Sequence, residues 1–487
     1  MARAQHDKDY VFAQMPVGQA VAYLVVPTIL TQIISIVYNL ADTFFIGQLA
    51  DPTLVAAVGV GLPPMLILTA LANLFGVGAS SAISRALGTG KKERARLYSS
   101  FALWCGIGVT FVYIVFTTVF REAFVYAIGG TDETYAYICA YLDWTLMAGG
   151  LVFFLSSLLA HFLRTVGRSV TASVGVASGA VLNIVLDPVF IFVLDLGIVG
   201  VAAASLAGQV LALVILATSL VRSRGDGVIV PRPTAAAFRD GVGTEVIQIG
   251  FVSFCMTALA QVSNTAINIL VSPYGTHYLA ASSVAIKINI AVFSLAQGIS
   301  VGVLPLIGYN YAAGNAERVK RALKILVSFD LIVGVVCMSV CLLLSGQIIA
   351  VFIDDALTIE VGRVYIRSVG LCMIPSPLVY AASSYMQAIG QKWRPYILAF
   401  TRMGTVDVVF MVICNAVLGA PGVLLGKPIA DWLCLCTAII VLNNLRKHVN
   451  PFSAKLPAGA HAGEEERGAE DDAREAVREE DGQAPTS

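Results

Sequence analysis

Two similar basic stretches, GTGKKERARL (88–97) and AAGNAERVKRA (312–322), recur in the chain at a spacing of 224 residues. In both stretches a glycine is followed three residues later by Glu-Arg, which aligns Arg94 with Arg318. The same spacing relates other segments more loosely. Internal repeats of this size are typical of membrane transporters built from two similar halves. The sequence therefore predicts a duplicated protein with two equivalent units.

The composition is that of a membrane protein. Of 487 residues, 57% are hydrophobic and 13% are charged, and the mean hydropathy is +0.80. A soluble chain has about 25% charged residues. The apolar runs are long and continuous, which indicates helices of about 20 residues or more and not the alternating strands of a membrane barrel. We predict an all-α polytopic membrane protein with twelve transmembrane helices, at about 17–47, 53–84, 95–120, 134–163, 169–194, 198–221, 242–272, 278–311, 322–346, 361–388, 395–418 and 422–445.

Each half of the chain holds six of these spans. Because six is an even number, both halves enter the membrane from the same side, as two pseudo-symmetric six-helix bundles related by a parallel repeat. The expected organisation is a cytoplasmic N-terminus (1–15), an N-lobe (16–221), a cytoplasmic linker (222–240), a C-lobe (241–447) and a disordered charged cytoplasmic tail (448–487).

The basic residues predict the orientation of the spans. Lys and Arg collect in the even-numbered connections, for example 91–96 and 318–324, whereas the odd connections QLADP and SPYGTH contain none. Cytoplasmic connections of membrane proteins have this excess of positive charge. Both termini are therefore predicted to be cytoplasmic, in a multi-pass protein of the cell membrane.

The stretch YNLADTFFIGQL (38–49) places the carboxylate of Asp42 in a long apolar span with no Lys or Arg nearby. An uncompensated charge at mid-membrane costs at least about 2.5–3.5 kcal/mol on insertion scales, so it indicates a functional site. Tyr38 and Asn39 lie on the same helix face. The alternative is an interfacial acid that reaches water at the outer end of the span.

The fifth span carries the expected partner of Asp42. Asn183 and Asp187 are four residues apart and project from one helix face, and Pro188 frees a backbone carbonyl one turn back. These hard oxygen ligands suit Na⁺, whereas two neighbouring carboxylates would share a proton. Ser205 on the sixth span is a weaker candidate for a further oxygen ligand. The predicted cation-coupling residues are Asp42, Asn183, Asp187, Tyr38, Asn39 and Ser205, and the metal ligands, if the ion is Na⁺, are Asp42, Asn183 and Asp187.

Pro27 interrupts the first span about four turns from Asp42. It is interpreted either as a hinge that bends when Asp42 changes protonation or as a static kink, which is common in membrane helices. In the second half, Asp407 occupies the repeat position of Asn183. Four other acids close to the predicted span ends are expected to be solvated: Asp143, Asp195, Asp330 and Asp431. The candidate substrate-cavity residues are Gln261, Asn264, Asn268, Lys287, Tyr380 and Asp407.

Three function classes fit a duplicated helical membrane protein. A cation-coupled antiporter uses the carboxylates described above. A flippase for a lipid-linked or amphipathic substrate would need several basic residues in its cavity for phosphate, and Lys287 and Arg402 are the only candidates for that role. A membrane prenyl transferase would need clustered acids for Mg²⁺-pyrophosphate, and Asp354-Asp355 has no second cluster. No phosphate-binding glycine loop is present, so ATP hydrolysis is not expected.

The chain resembles the MATE family, the multidrug and toxic compound extrusion transporters. The likeness extends over about residues 16–447 and rests on YNLADTFFIGQL, LVAAVGVGLP (54–63), LNIVLDPVFIF, GIVGVAAASLAGQ and PLIGYNYAAGNAERV (305–319). It implies a V-shaped, twelve-helix, bacterial drug antiporter driven by H⁺ or Na⁺. In the branch that this chain resembles most, the carboxylate site lies in the N-terminal lobe, at positions that match Asp42, Asn183 and Asp187.

The resemblance also implies the partners of the protein. It predicts a secondary transporter, not an enzyme, that exports lipophilic and often cationic compounds by alternating access. No cofactor is expected apart from the coupling ion. The expected partners are small-molecule drugs or organic cations and the lipid bilayer. Nucleic acid is not expected as a partner, and the protein is expected to be a monomer.

Overall fold

The structure of the protein is a computed structural model that describes residues 10–48, 52–128, 130–222, 228–229, 232–239, 241–353, 355–402 and 404–449. Within these residues, eleven helices are long and apolar enough to cross a membrane. A twelfth crossing consists of two helices that meet at 46°. The prediction of an all-α protein with twelve spans is confirmed. The predicted charged tail and most of the N-terminus lie outside the described residues.

The twelve spans are numbered here in chain order. Spans 1–6 form the N-lobe and are Val17–Gly47, Pro52–Gly88, Lys92–Val119, Asp132–Ala148 with Gly150–Thr165, Ser169–Val193 and Gly197–Arg222. Spans 7–12 form the C-lobe and are Val242–Tyr274, Thr276–Ala312, Ala316–Leu343, Ala356–Ala388, Arg394–Leu418 and Ala420–Val449. Short helices flank them at Tyr10–Gln14, Arg121–Ala127, Ala235–Phe238 and Ser345–Phe352.

The breaks in the spans repeat between the two halves. In the N-lobe, span 4 is bent and span 5 changes from an α-helix to a π-helix at Val189, and their counterparts in the C-lobe, spans 10 and 11, contain non-helical turns. Broken helices are typical of transporters, because unwound backbone supplies polar groups inside the membrane. The segments on either side of the breaks are Asp132–Leu142, Asp143–Ala148 and Gly150–Thr165; Ser169–Pro188 and Val189–Val193; Ala356–Gly370 and Pro375–Ala388; and Arg394–Arg402 and Val406–Leu418.

The repeated basic stretches are tight turns between long helices. The shared glycines, Gly90 and Gly314, have φ of +76° and +77°, a conformation that glycine adopts without steric cost. Span 3 begins at Lys92 and span 9 at Ala316, earlier than predicted. The helices extend beyond the apolar segments because backbone hydrogen bonding continues after the hydrophobic residues end. Hydropathy therefore underestimated their length.

The two lobes meet at one end of the molecule. We call this the basic end, because span 2 ends and span 7 begins there, beside the basic connections. At mid-span, Asn73 Nδ2 donates a hydrogen bond to Thr257 Oγ1 at 3.1 Å, and Gln32 Nε2 donates to the Ser294 carbonyl at 2.9 Å. The hydrogen bonds of Thr28, Ser81 and Arg85 with the C-lobe lie closer to the basic end. This one-sided contact is the arrangement expected of a V-shaped pair of bundles.

Two glycines bring spans 2 and 7 into backbone contact near the basic end. A Cβ on Gly250 would lie 1.7 Å from the Leu74 carbonyl oxygen, and a Cβ on Gly78 would lie 2.2 Å from the Val246 carbonyl oxygen. Small residues permit such close approach between membrane helices. The close contact between the lobes is therefore possible because both positions are glycine and have no side chain.

Gly250→Ala is expected to lower the free energy of unfolding by about 1–3 kcal/mol, the usual cost of overpacking. The added methyl group meets backbone, which cannot move aside by rotation of a side chain. The matched control is Gly108→Ala, because a Cβ there has no atom within 4 Å. Denaturant titration in detergent micelles measures both variants. Equal stability of the two variants would contradict the assigned contact.

Candidate cation-coupling site

Three of the predicted coupling residues meet in the N-lobe. Asn183 and Asp187 are 2% and 0% exposed. The Asn183 amide Nδ2 donates to Asp187 Oδ1 at 3.4 Å and to Ser205 Oγ at 3.2 Å. The structure thus links one helix face of span 5 to span 6, with a carboxylate, an amide and a hydroxyl side by side.

Close packing of spans 5 and 6 makes this link possible. A Cβ on Gly179 would lie 2.5 Å from the Gly208 carbonyl oxygen, and a Cβ on Gly208 would lie equally close to the Gly179 carbonyl oxygen. The two backbones therefore touch one turn from Asn183, and its short side chain can reach Ser205. In the sequence, the feature that permits this contact is one glycine on each span, Gly179 and Gly208.

Span 1 also packs against span 5. At the basic end, Ser169 Oγ donates to the Leu24 carbonyl at 2.7 Å, and the two helices form an extensive contact. Asp42 and Asn39 lie on the helix Val17–Gly47, but their side chains lie outside the described part of the structure. Their membership of the site remains a prediction, and so does that of Tyr38, which is partly buried on the same helix.

The cluster can bind a cation or a proton. Asn183 Oδ1 is buried and accepts no hydrogen bond from the described residues. Burying such an acceptor without a partner costs about 1–3 kcal/mol. A carboxylate and an amide oxygen on one face supply ligands for a hard cation. The same groups can hold a proton between two oxygens.

The predicted hinge residue, Pro27, lies inside the continuous helix Val17–Gly47. The helix continues on both sides of the proline, and Thr31 Oγ1 donates to the Pro27 carbonyl at 2.9 Å. Thr28 Oγ1 contacts the opposite lobe, donating to the Gly298 carbonyl at 2.9 Å. Span 1 is therefore attached to the C-lobe next to the proline, and the hinge assignment remains a prediction.

The candidate cavity residues of the C-lobe lie in different environments. Asp407 and Tyr380 are buried, whereas Asn268 and Lys287 are exposed and Gln261 and Asn264 are half-buried. Asp407 Oδ2 accepts a hydrogen bond from Ser263 Oγ of span 7. Tyr380 accepts from Gln297 Nε2 at 3.4 Å and packs edge-on against Phe293. These six residues therefore differ in exposure, and their grouping around a substrate remains a prediction.

Two of the four acids expected to be solvated are buried. Asp330 and Asp431 are 0% and 3% exposed. Asp431 Oδ1 lies 3.2 Å from Arg402 Nε, and Asp431 Oδ2 accepts from Ser376 Oγ at 2.6 Å. The prediction for these two acids was wrong because their spans pack against other helices, and a sequence does not show where such contacts fall. An Arg well inside span 11 was the available signal for Asp431.

The other two acids are not buried. Asp195 follows the end of span 5, as predicted, whereas Asp143 lies inside span 4, between Asp132–Leu142 and Gly150–Thr165. Asp195 is exposed, and the Asp143 side chain is 44% exposed and lies 2.9 Å from Arg121 Nη2. Neither acid is enclosed by the protein, and the Asp143 carboxylate is paired with an arginine. They provide exposed counterparts for experiments on the buried acids.

Of the acidic pair Asp354-Asp355, which was considered as evidence for an enzyme, Asp355 has a structural role. Asp355 caps the helix Ala356–Gly370 by accepting a hydrogen bond from the Thr358 backbone at 2.8 Å. Hydrogen bonds from the Thr358 hydroxyl and backbone, and the nearby His277, lower the pKa of Asp355. Asp354 lies outside the described residues. Within the described ranges, no group of three or more His, Cys, Asp or Glu residues could hold a metal ion.

Comparison with known proteins decides the family. The MatE family model matches residues 27–189 and again residues 252–413. The chain belongs to the MatE family. The two matches begin at a spacing close to that of the repeated basic stretches, so they correspond to the N-lobe and the C-lobe. The resemblance inferred from the motifs is confirmed.

Curated relatives extend over nearly the whole MatE protein. The chain is 28% identical to the multidrug export protein MepA of Staphylococcus aureus strain NCTC 8325, over 92% of this chain and 99% of the relative. It is 26% identical to MepA of Staphylococcus saprophyticus over the same shares of the two chains. These names describe transporters. The protein is therefore a multi-span membrane transporter of the MatE family and not an enzyme.

Solved structures share the two-lobe fold. One is described as the outward-facing conformation of a multidrug resistance MATE family transporter, with a TM-score of 0.83 and 22% identity over 92% of this chain and 98% of that one. Another is described as MATE in the bent conformation, with a TM-score of 0.81 and 22% identity over 93% and 98% of the two chains. Both likenesses show the fold of the MatE protein.

Proposed function

We propose that this protein is a secondary active multidrug exporter that exchanges lipophilic, often cationic, compounds for H⁺ or Na⁺ by alternating access. The observation that carries the proposal is the buried contact of Asn183 with Asp187 and Ser205. A carboxylate in a membrane interior is costly and marks an ion or proton pathway by default. The export of drugs by the MepA relatives supports the substrate class.

In the proposed cycle, the coupling ion controls the shape of the N-lobe. Asp42 and Asp187 take up H⁺ or Na⁺ while the cavity faces outward. Neutralisation allows span 1 to bend at Pro27, which narrows the N-lobe cavity and releases the drug. The lobes then turn inward, and the ion leaves. If the ion is Na⁺, its ligands are Asp42, Asn183 and Asp187.

The remaining expectations belong to the same proposal. The protein lies in the cell membrane with both termini cytoplasmic, works as a monomer, and requires no cofactor other than the coupling ion. Its partners are small drugs and the bilayer, and nucleic acid is not among them. We place the substrate between the lobes, near Gln261, Asn264, Asn268 and Lys287.

The flippase alternative is weakened by one contact. Arg402 was one of two basic candidates for binding a lipid phosphate, and it is paired with Asp431. A guanidinium already neutralised by a carboxylate is a poor phosphate ligand, because the phosphate would have to displace an existing ion pair. Within the described spans this leaves Lys287 as the remaining basic residue of that hypothesis.

Transport in liposomes tests the proposal. Purified protein is reconstituted, ethidium is loaded, and a proton gradient or a sodium gradient is imposed separately with the membrane potential clamped. Efflux driven by one gradient and abolished by the matching ionophore is the expected result. A proton response would indicate a shared proton, and a sodium response an oxygen cage. If neither the proton gradient nor the sodium gradient drives efflux, the result would contradict antiport and favour the flippase. Protein-free liposomes are the control.

A further inference from the structure

The repeated basic stretches have a role that the coupling site does not explain. Arg94 and Arg318, which the repeat aligns, lie in the first turns of spans 3 and 9 at the basic end. Each arginine belongs to one lobe and contacts the start of the other lobe. The two contacts lie at equivalent places, but one is made to a carboxylate and the other to backbone carbonyls.

The first contact is centred on Glu245, in the first turn of span 7. Arg85 Nη2 of span 2 lies 2.6 Å from Glu245 Oε1. Tyr98 donates a hydrogen bond to Glu245 Oε2. Arg94 Nε donates to the Tyr98 hydroxyl at 2.9 Å, and Arg94 Nη2 lies 3.9 Å from Glu245 Oε2. Three N-lobe side chains therefore hold one C-lobe carboxylate.

This carboxylate contact is largely shielded from water. The Arg85 and Glu245 side chains are 14% and 25% exposed. Arg85 Nη1 also approaches the carbonyl oxygens of Gln387 and Ala388, at 3.4 and 3.3 Å, on span 10. Partly buried pairs are screened less by salt than exposed pairs. One N-lobe arginine thus joins spans 7 and 10 of the opposite lobe.

The second contact is centred on Arg318, in the C-lobe. Arg318 Nη2 donates to the carbonyl oxygens of Phe12 and Met15, both at 2.9 Å. Asn310 Nδ2 donates to the same Phe12 carbonyl at 3.0 Å. The Phe12 ring is 2% exposed and stacks on Tyr309, with centroids 5.5 Å apart. These N-terminal residues directly precede span 1, so this contact holds the start of the N-lobe.

The two contacts are related by the repeat. Each joins the arginine after the second helix of one lobe to the start of the first helix of the other. We propose that they are paired latches, the Glu245 latch (Arg85, Arg94, Tyr98, Glu245) and the Arg318 latch (Asn310, Arg318 and the Phe12 and Met15 carbonyls). Both must open before the cavity faces the basic end. This inference rests on alternating access in the proposed function.

The acidic residues of the same two stretches do not belong to the latches. Glu93 pairs with Arg96, and Glu317 pairs with Lys320 at 3.1 Å, within their own helices. The Glu93 and Glu317 side chains are 81% and 74% exposed. Exposed pairs of this kind have little effect on stability. They serve as charge controls. Glu93→Gln removes one negative charge at the basic end, as Glu245→Gln does, and Glu317→Gln removes one beside Arg318, but neither pair crosses between the lobes.

The experiment measures opening at the basic end with one introduced cysteine. Ser84 is 1% exposed, and its Oγ lies 2.3 Å from the position of a Cβ on Gly308 of the other lobe. Ser84→Cys therefore reacts with a charged maleimide only when the lobes separate there. Labelling rates are measured in nanodiscs without substrate or ion gradient. Parallel samples lacking Ser84→Cys correct for the nine native cysteines.

Glu245→Gln and Arg318→Lys are expected to raise the labelling rate about tenfold, which is a shift of about 1.4 kcal/mol in the open–closed equilibrium. Lysine keeps the charge of Arg318 but loses the fork that bonds two carbonyls. Glu93→Gln and Glu317→Gln are expected to stay within about twofold of Ser84→Cys alone.

Two results would overturn the latches. One is a rate within twofold for both Glu245→Gln and Arg318→Lys, and the other is an equal rise in the Glu93 and Glu317 controls. Tyr98→Phe, which removes only one hydroxyl, provides a milder variant if Glu245→Gln elutes as aggregate in size-exclusion chromatography. Because labelling needs no gradient, a failed latch and a failed antiport mechanism give different results.

Discussion

Asp187→Asn is expected to reduce ion-driven drug efflux about 100-fold, near the upper limit of the usual coupling between two sites. The substitution keeps the size of the side chain and removes its charge. Asp187 is 0% exposed and accepts a hydrogen bond from Asn183. A neutral amide at this position cannot exchange a proton and is a weaker ligand for Na⁺. The drug can still bind, but the gradient no longer drives its release.

The measurement is efflux of ethidium from liposomes under the gradient that drives the unmodified protein, together with equilibrium binding of ethidium. Asp195→Asn is the matched control, because Asp195 is exposed at the end of the same span. Its φ of +52° is a conformation that asparagine also tolerates. Efflux in Asp187→Asn that retains its full ion dependence would disprove the assignment. Equal losses of binding and efflux would indicate a structural role.

The sequence predicted the fold because the fold follows from local and repeated features. Long apolar runs set the number of spans, and a glycine with positive φ at Gly90 and Gly314 marks equivalent turns. The lengths of the helices were less predictable. Span 2 continues to Gly88, beyond the apolar segment, because a helix does not end where hydrophobicity ends. The closure at the basic end depends on Gly78 and Gly250, whose role becomes visible only when two helices are placed together.

The site was predictable where it lies within one helix. Asn183 and Asp187 share a face by their spacing alone, and the structure brings them together. The link to Ser205 requires the backbone contact of Gly179 with Gly208, which joins two helices. Small residues are common in membrane spans, so their sequence does not identify which pairs touch. The burial of Asp330 and Asp431 was missed for the same reason.

Arg402→Met is expected to lower the free energy of unfolding by about 3–5 kcal/mol, the usual cost of leaving one member of a buried ion pair alone. Arg402 and Asp431 are each 4% exposed in their side chains, and their Nε and Oδ1 atoms are 3.2 Å apart. The Arg402 guanidinium also lies over the Phe293 ring, 4.9 Å from its centroid. Methionine keeps much of the packing and removes the charge, so Asp431 loses its cationic partner and keeps the hydrogen bond from Ser376.

The double variant Arg402→Met with Asp431→Leu separates the cost of an unpaired charge from the value of the pair. Buried ion pairs exchanged for apolar residues of similar volume are often neutral or stabilising, so the double variant is expected to regain most of the stability lost by Arg402→Met. Denaturant titration in detergent micelles measures the cycle. Arg121→Met is the control, because Arg121 and Asp143 form a similar pair with side chains 30% and 44% exposed, and a loss of less than about 1 kcal/mol is expected there. If the double variant is no more stable than Arg402→Met, the arginine stabilises the C-lobe through its stacking on Phe293, and the charge of Asp431 is not the reason for its presence.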